Sequence, residues 1–502
     1  MTKEARMSKL KKMAAYGTAD MLGGGVFQLI SSYFLAYLTF VEGMNPALAG
    51  ACIMIGKIWD GISDPIMGVI VEKTRTRFGS VRPYFLIGAL PIFITYFMLW
   101  YSFGINSEIA KAVYYTIAYV LFSTAFTVVI IPYEALLPRM VDNYSERTNY
   151  ISSRMIFSGL ACVISTYIYE FIINSGGNST LSPELKGRFG LMGVILGIFF
   201  ALPVLVTFMG TKENPRTDTP STMSVKQIFK EYGEVLRNRS YRKYYIMNIL
   251  SAFLSGMVIT GMSFFSYIIL SQDKILGLTV ITIVLTIKGA TEIGFFPVNV
   301  VLMKKYSKHM PYKVDIPLII LACAVGLFIP EGSSAIPFII SISFLGMGVS
   351  CLGFVPMSLL PDLTDVDEMI YGKRREGICS GLATLGKKVA SGVSMLVTGV
   401  ILAAFGLDAE RPEAAAQTAS TMWGVKIVYA VIPIVFATLI LLISYTYKVD
   451  SKNHNMIKTI IAKRREEGYA ELTDSEKKEC EALSGISYEK LWIATREAPQ
   501  TE

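Results

Sequence analysis

The sequence predicts an all-α, multi-pass membrane protein with about twelve transmembrane helices in two six-helix bundles, and three observations predict it. First, 52% of the 502 residues are hydrophobic and only 17% are charged, whereas about a quarter of a soluble chain is charged. Second, apolar runs long enough to cross a hydrocarbon layer of roughly 30 Å recur along the chain. Third, basic residues gather in alternate loops between those runs, as they do on the cytoplasmic side of membrane proteins. These features exclude a soluble enzyme, a nucleic-acid-binding protein and a disordered scaffold.

The runs fall at about 16–40, 47–71, 81–103, 112–138, 150–174, 188–209, 242–270, 277–302, 314–331, 336–361, 378–405 and 421–447. The first is too long for a cleavable signal peptide and leads directly into a second span, so no secretory cleavage is expected. One side carries Lys3, Arg6, Lys9, Lys11 and Lys12, then Lys73, Arg75, Arg77 and Arg82, and later Arg139, Arg147, Lys304, Lys305, Lys308 and Lys373–Arg375. The opposite loops hold only Lys111, Lys186, Arg188, Lys274 and Arg411. Both termini are therefore expected in the cytoplasm, in a protein of the cell (inner) membrane. The net charge of +8 reads as a topology signal and not as a polyanion-binding patch.

Composition divides the chain into halves 1–210 and 242–450, a cytoplasmic linker 211–241 and a tail 451–502. The linker contains Pro215, Pro220 and a capping box, Ser224 with Gln227, ahead of the amphipathic run Ile228, Phe229, Tyr232, Val235 and Leu236. A linker helix lying against the membrane or the bundle is expected. The tail holds a second capping pair, Thr473 with Glu476, and reads as a solvated appendage. Six spans, a linker and six spans is the layout of major-facilitator transporters, whose halves rock around a site near the midplane.

An ionisable residue at the bilayer centre costs roughly 2.5–3.5 kcal/mol on insertion scales, so each one needs a partner or a role. The candidates are Asp20, then Lys57, Asp60 and Asp64 in span two, Glu134, Lys288 and Glu292, and Lys387 and Lys388. Lys57, Asp60 and Asp64 share one helix face. Two carboxylates about 6 Å apart repel by roughly 3 kcal/mol at an effective dielectric of 20. The pair wants a proton, or a hard ion such as Na+ held by oxygens; a structural ion pair with Lys57 is the alternative. Lys288 and Glu292, of opposite sign at i,i+4, read as a self-satisfying pair facing the bundle interior. Asp20, beside Gly23–Gly25, is either a functional carboxylate or an interface residue. Lys387 is expected on the rim and Lys388, on another helix face, pointing inward. His309 and His454 both fall in polar stretches, which argues against a histidine metal centre in the membrane. The six cysteines form no CxxC pair, five lie in apolar segments, and they read as small hydrophobes. No resident cofactor is expected.

The stretch Lys57-Ile58-Trp59-Asp60-Gly61-Ile62-Ser63-Asp64-Pro65 followed by Arg75, Arg77, Gly79, Arg82 and Pro83 resembles the glycoside–pentoside–hexuronide:cation symporter family (melibiose permease-like). Ile131-Pro132-Tyr133, the run Glu146-Arg147-Thr148 with Arg154, Pro361-Asp362 with Asp365, and Gly372 to Gly377 resemble it too, and the likeness spans about 8 to 450. The resemblance implies alternating-access symport of a sugar or glycoside with Na+ or H+. It implies a cation site at Asp60, Asp64 and Thr127, and a sugar site at Asp20 and Arg154. Lys388 would lie between the two sites. Arg147, Asp362, Arg374 and Glu376 would close the cytoplasmic side.

Three positions depart from the pattern. The family's sugar-binding aspartate two residues before the span-four proline is Ile130 here, and its tryptophan two residues after that proline is Glu134. Arg154 is one residue closer to Arg147. The sugar pocket is therefore rearranged, with Glu134 a candidate replacement for the lost carboxylate. The expected partners are a sugar or glycoside, the coupling cation and membrane lipids, with no nucleic acid and a monomeric state. A carrier of a non-sugar solute such as a lysolipid and a membrane-embedded transferase are the alternatives, although no acidic catalytic cluster or phosphate-cradling loop supports the transferase.

Overall fold

The architecture comes from a computed structural model, which describes residues 3–141, 144–174, 181–213, 224–270, 278–409, 417–467 and 472–495. Pro215, Pro220, Lys274, Arg411 and the side chains of Lys3, Arg6, Lys9, Glu146 and Thr148 lie outside the described residues. Among the described residues the regular elements are helices, apart from two isolated bridges.

The first half opens with α1 (Lys3–Gly17) and α2 (Asp20–Leu29), a rod interrupted at Thr18–Ala19. The Thr18 hydroxyl donates to Ala15 O (3.0 Å), the local side-chain bonding that competes with a regular helix. The rod continues through two π-helical turns, Ile30–Phe34 and Tyr37–Val41. Next is α3 (Pro46–Lys73), started by Pro46 in its first turn and by the Asn45 side chain accepting from Ala47 N. It is followed by α4 (Pro83–Leu99), α5 (Glu108–Met140), α6 (Tyr144–Ile173) and α7 (Lys186–Gly210). The linker forms α8 (Val225–Val235), and the Ser224–Gln227 capping box is present with both of its hydrogen bonds.

The second half runs α9 (Arg239–Ile268), α10 (Val280–Lys305), α11 (Met310–Leu327), α12 (Ile336–Tyr371) and α13 (Glu376–Ala404). The last crossing joins α14 (Ala419–Lys426) to α15 (Ile432–Tyr445) through a π-helical turn, and the tail adds α16 (Ser451–Glu467) and α17 (Asp474–Ser484). Nine of the described helical stretches are long and apolar enough to cross a membrane. The α1–α2 rod, α3 and α4 complete twelve crossings. α3 has 28 residues, but Lys57, Asp60 and Asp64 depress its hydropathy, and α4 has only 17.

In the first half α2 packs on α6 and α7, α4 on α5 and α7, and α3 on α5. In the second, α9 packs on α12, α13 and α15, and α11 and α10 both pack on α12. The halves meet chiefly along α3 and α13. The approach is close because of glycine: a Cβ on Gly399 would lie 2.0 Å from Pro46 O, and one on Gly50 2.7 Å from Met395 O. The face opposite the linker is packed shut. There the Tyr169 and Tyr33 rings stack at 3.8 Å, the Tyr169 and Tyr267 hydroxyls lie 3.3 Å apart, and the Thr260 hydroxyl donates to Ser31 O. Buried Glu170, near the end of α6, accepts from Thr279 N (2.8 Å), Thr279 Oγ1 (2.6 Å) and Thr282 Oγ1 (2.8 Å).

Two expectations are corrected. The run at 336–361 underestimates α12, which continues to Tyr371 and carries Asp362, Asp365, Asp367 and Glu368 as a helical extension. A hydropathy reading ends where polarity begins, but this helix persists because basic groups satisfy its carboxylates. The tail is not a solvated appendage. Ile457, Ile460, Cys480, Leu483, Leu491 and Ile493 are buried, and the Ser240 hydroxyl donates to Leu483 O (2.6 Å). His454 lies 2.8 Å from Asp365 and 3.5 Å from Asp362, and Arg465 pairs with Glu368. A mostly polar segment docks because its few apolar residues share faces of short helices and its bases meet the acidic end of α12. The Thr473–Glu476 capping box is present. All six cysteines are free, and all but Cys162 are buried.

Candidate functional site

The charged residues that the sequence singles out within the spans fall into three groups. The first lies on the seam between the halves. Asp60 and Asp64 stand one turn apart on α3, and α5, packed alongside, brings the Thr127 hydroxyl to 3.3 Å from Asp60 Oδ1 and 3.1 Å from Asp64 Oδ1. Ser63 Oγ lies 3.0 Å from the same hydroxyl. From the other half, α13 sends the Lys388 ammonium to 2.6 Å from Asp64 Oδ2 and 3.0 Å from Asp60 Oδ2. Asp60 is buried, and a buried carboxylate left unpaired is strongly destabilising, so this contact has a large electrostatic consequence. Lys57 does not form the alternative ion pair: its ammonium lies 4.0 Å from the centre of the Phe27 ring. Asp60, Asp64, Thr127 and Lys388 are thus brought together.

The second group belongs to the first half. Arg154 on α6 donates from Nε to Asp20 Oδ1 (2.8 Å) and approaches Glu134 Oε1 on α5 at 3.5 Å. Its guanidinium sits 5.0 Å from the centre of the Tyr133 ring. Tyr133 stacks on Tyr16 at 4.8 Å and donates from its hydroxyl to Tyr16 O (3.0 Å), and Tyr150 meets Tyr16 edge-on. Asp20 is buried beside Arg154. Glu134, whose side chain is 56% exposed, is open to approach from outside the protein matrix. A bifurcated acid–guanidinium cluster on an aromatic floor offers donors, acceptors and a flat apolar surface, which together suit a hydroxylated ring.

The third group is Lys288 with Glu292 on α10, an ion pair of 2.5 Å. Of the four residues expected to close the cytoplasmic side, the structure brings together Arg374 and Glu376 and leaves Arg147 and Asp362 apart from them. Arg147 donates to Val141 O (2.8 Å) and makes no ion pair with Asp362 or Glu376. Asp362 is held by Lys308 (2.6 Å), while Arg374 pairs with Glu376 (2.6 Å) and reaches Asp365 at 3.9 Å. Arg375, just before α13, forms a two-pronged contact with Asp367 and also meets Glu234 of α8. Burial works against its charge, yet these carboxylates outweigh it and its pKa is raised. Among the described residues no group of three or more His, Cys, Asp or Glu side chains could hold a metal ion.

The sequence reading missed Ser63, Tyr16, Tyr133 and Glu170. Tyr133 lay within the quoted Ile131-Pro132-Tyr133 stretch and could have been found there; Glu170 binds Asn174 locally, but the threonines it clasps on the other half lie more than a hundred residues away, and nothing near it in the sequence points to them.

Two helical bundles that meet along a charged seam have the architecture of multi-pass major-facilitator proteins. The chain belongs to the family described as MFS/sugar transport protein, matched over residues 15–451. It is 26% identical to an isoprimeverose transporter of Lactiplantibacillus pentosus over 90% of this chain and 91% of that one. It is 23% identical to a sodium-dependent lysophosphatidylcholine symporter of Danio rerio over 90% of each. Its fold is similar to the crystal structure of the nucleoside transporter NupG, with a TM-score of 0.63 and 13% identity over 88% of this chain and all of that one.

Proposed function

We propose that this protein imports a sugar or glycoside by symport with a monovalent cation, Na+ or H+, through alternating access. The observation that carries this reading is the acidic pair of one half bridged by a lysine of the other. Asp60, Asp64 and Thr127 offer a small set of oxygens to a proton or Na+, while Lys388 occupies the same carboxylates. A cation that displaces Lys388 changes the energy of the seam, and a change that differs between the two access states couples ion binding to rocking of the halves. Asp20, Arg154 and Glu134 bind the sugar in this reading, and Arg147 pairs with Asp362 and Glu376 across the linker face when that face closes, with Arg374 holding Glu376 from its own half.

The linker face is cytoplasmic in the inner membrane, with 1–210 and 242–450 as the moving bodies and a monomer as the transport unit. The basic loops support this orientation. The relative named an isoprimeverose transporter supports a glycoside. The relative named a lysophosphatidylcholine symporter keeps a lysolipid as the second reading, but the acid–guanidinium cluster suits hydroxyls better than an acyl chain. The experiment is counterflow in proteoliposomes, with labelled isoprimeverose and lysophosphatidylcholine in parallel, with and without Na+ and at two pH values. Sugar counterflow with cation-dependent accumulation is expected. Exchange of the lysolipid alone would overturn the sugar assignment.

A further inference from the structure

The Lys288–Glu292 pair satisfies itself, but it is not sealed within the second half. Lys288 is nearly buried, but the Glu292 side chain is 27% exposed, and it lies off the α10 stripe of Ile293 and Val301, which are 61% and 60% exposed. The position of this pair relative to the first half follows from a fixed point. Glu170 near the end of α6 clasps Thr279 and Thr282 at the start of α10, so the two helices run back from this shared end in opposite chain directions. At 1.5 Å per residue, Cys162 lies about 12 Å down α6 from Glu170, and Lys288 and Glu292 lie about 9–15 Å down α10 from Thr282. The three residues therefore share one depth. The same neighbourhood holds all of them: Lys288 and Glu292 from one half and Asp20 from the other lie within charge–charge range of the Cys162 thiol.

We propose that Lys288 and Glu292 form the second-half wall of the substrate site, opposite Asp20, Arg154 and Glu134, and hydrogen-bond a second set of hydroxyls on a glycoside. The inference rests on the sugar reading above. An ammonium supplies donors and a carboxylate supplies acceptors, so an i,i+4 pair can take a vicinal diol as readily as it takes itself. A sugar held by one half alone has no differential contact with the two access states; one held by both halves has.

The test uses the purified full-length chain with isoprimeverose, xylose and lysophosphatidylcholine as probes, read by thermal shift and by N-ethylmaleimide alkylation of Cys162. The sugar that stabilises the native protein is expected to slow Cys162 alkylation severalfold. Lys288→Met and Glu292→Gln should each weaken that sugar about ten- to hundredfold while the response to Na+ and pH persists. The double variant removes both charges and so leaves none unpaired. If the pair only stabilises the fold, the double variant regains native sugar affinity, and the wall assignment is wrong. Unprotected Cys162 together with native affinity in Glu292→Gln also overturns it, with the transport reading intact. If neither sugar shifts the native protein, the sugar reading itself falls and takes this wall with it.

Discussion

At the scale of single residues, the geometry assigns different work to carboxylates of the same chemistry. Asp60 and Asp64 share a hydroxyl and an ammonium, whereas Asp20 is bound to a guanidinium. Replacing Asp60 or Asp64 with Asn removes one ligand oxygen and one charge. Each change is expected to abolish cation-driven accumulation in vesicles while sugar counterflow survives, since the proposed sugar contacts are Asp20, Arg154 and Glu134. Accumulation at the native ratio in both variants would count against the cation site. Asp20→Ala leaves Arg154 without its short partner. A hydrogen bond to a charged group contributes about 1.5–3 kcal/mol, so sugar affinity should fall about ten- to hundredfold in a titration followed by intrinsic fluorescence. Normal affinity with reduced yield would mean that Asp20 only stabilises the bundle.

At the scale of elements, α13 and the tail carry the consequences. Lys387 and Lys388 are neighbours in sequence, but only Lys388 reaches α3. Lys388→Ala should leave the aspartates repelling each other, so that cation dependence of transport is lost more completely than sugar binding. Lys387→Ala, measured beside it, should keep both. If the Lys387 change is the damaging one, the coupling role of Lys388 is wrong. The tail makes a separate claim. Ile457 on α16 is fully buried, and truncating such a residue to Ala costs about 2–5 kcal/mol. Because this loss falls on a peripheral unit, limited trypsin digestion of Ile457→Ala should cut within α16 at least tenfold faster, with the transmembrane core intact. Cleavage at the native rate would mean that α16 is not held by this contact.

For the whole molecule, one face is packed through Glu170, Tyr169 and Tyr267, while on the linker face Asp362, Arg374 and Glu376 are bound by groups of the second half and the tail, not by the first half. In the proposed gate, closing that face brings Arg147, which here donates to Val141 O, to the carboxylate of Asp362. A gate of this kind shifts a population and does not bind substrate. Arg147→Ala should move the protein toward the arrangement open on the linker face, seen as faster labelling of cysteines introduced along the inner ends of α5 and α12. Equal labelling on both faces in native and variant protein would show that Arg147 has no gating role. Docking of the tail on Asp362, Asp365 and Glu368 means that the same carboxylates serve two partners, which a single pairwise picture of the gate omits.

Local chemistry made much of this legible from sequence. Apolar runs gave the crossings because every backbone group in lipid must be satisfied within its own helix, and the capping boxes at Ser224 and Thr473 gave two helix starts because their hydrogen bonds span only three residues. The i,i+4 spacing gave the shared face of Asp60 and Asp64, and likewise of Lys288 and Glu292. Tertiary structure alone decided the partners. Nothing in the spacing of Lys57 says that its ammonium turns to Phe27 and leaves the aspartates to Lys388, which is more than three hundred residues away. The extension of α12 beyond its apolar run and the docking of the tail were equally invisible, because each depends on charges supplied by a distant segment. The physical reason is range: helix formation and membrane insertion are fixed by neighbours within a few residues, whereas a buried charge is stabilised by whichever opposite charge the packing brings beside it.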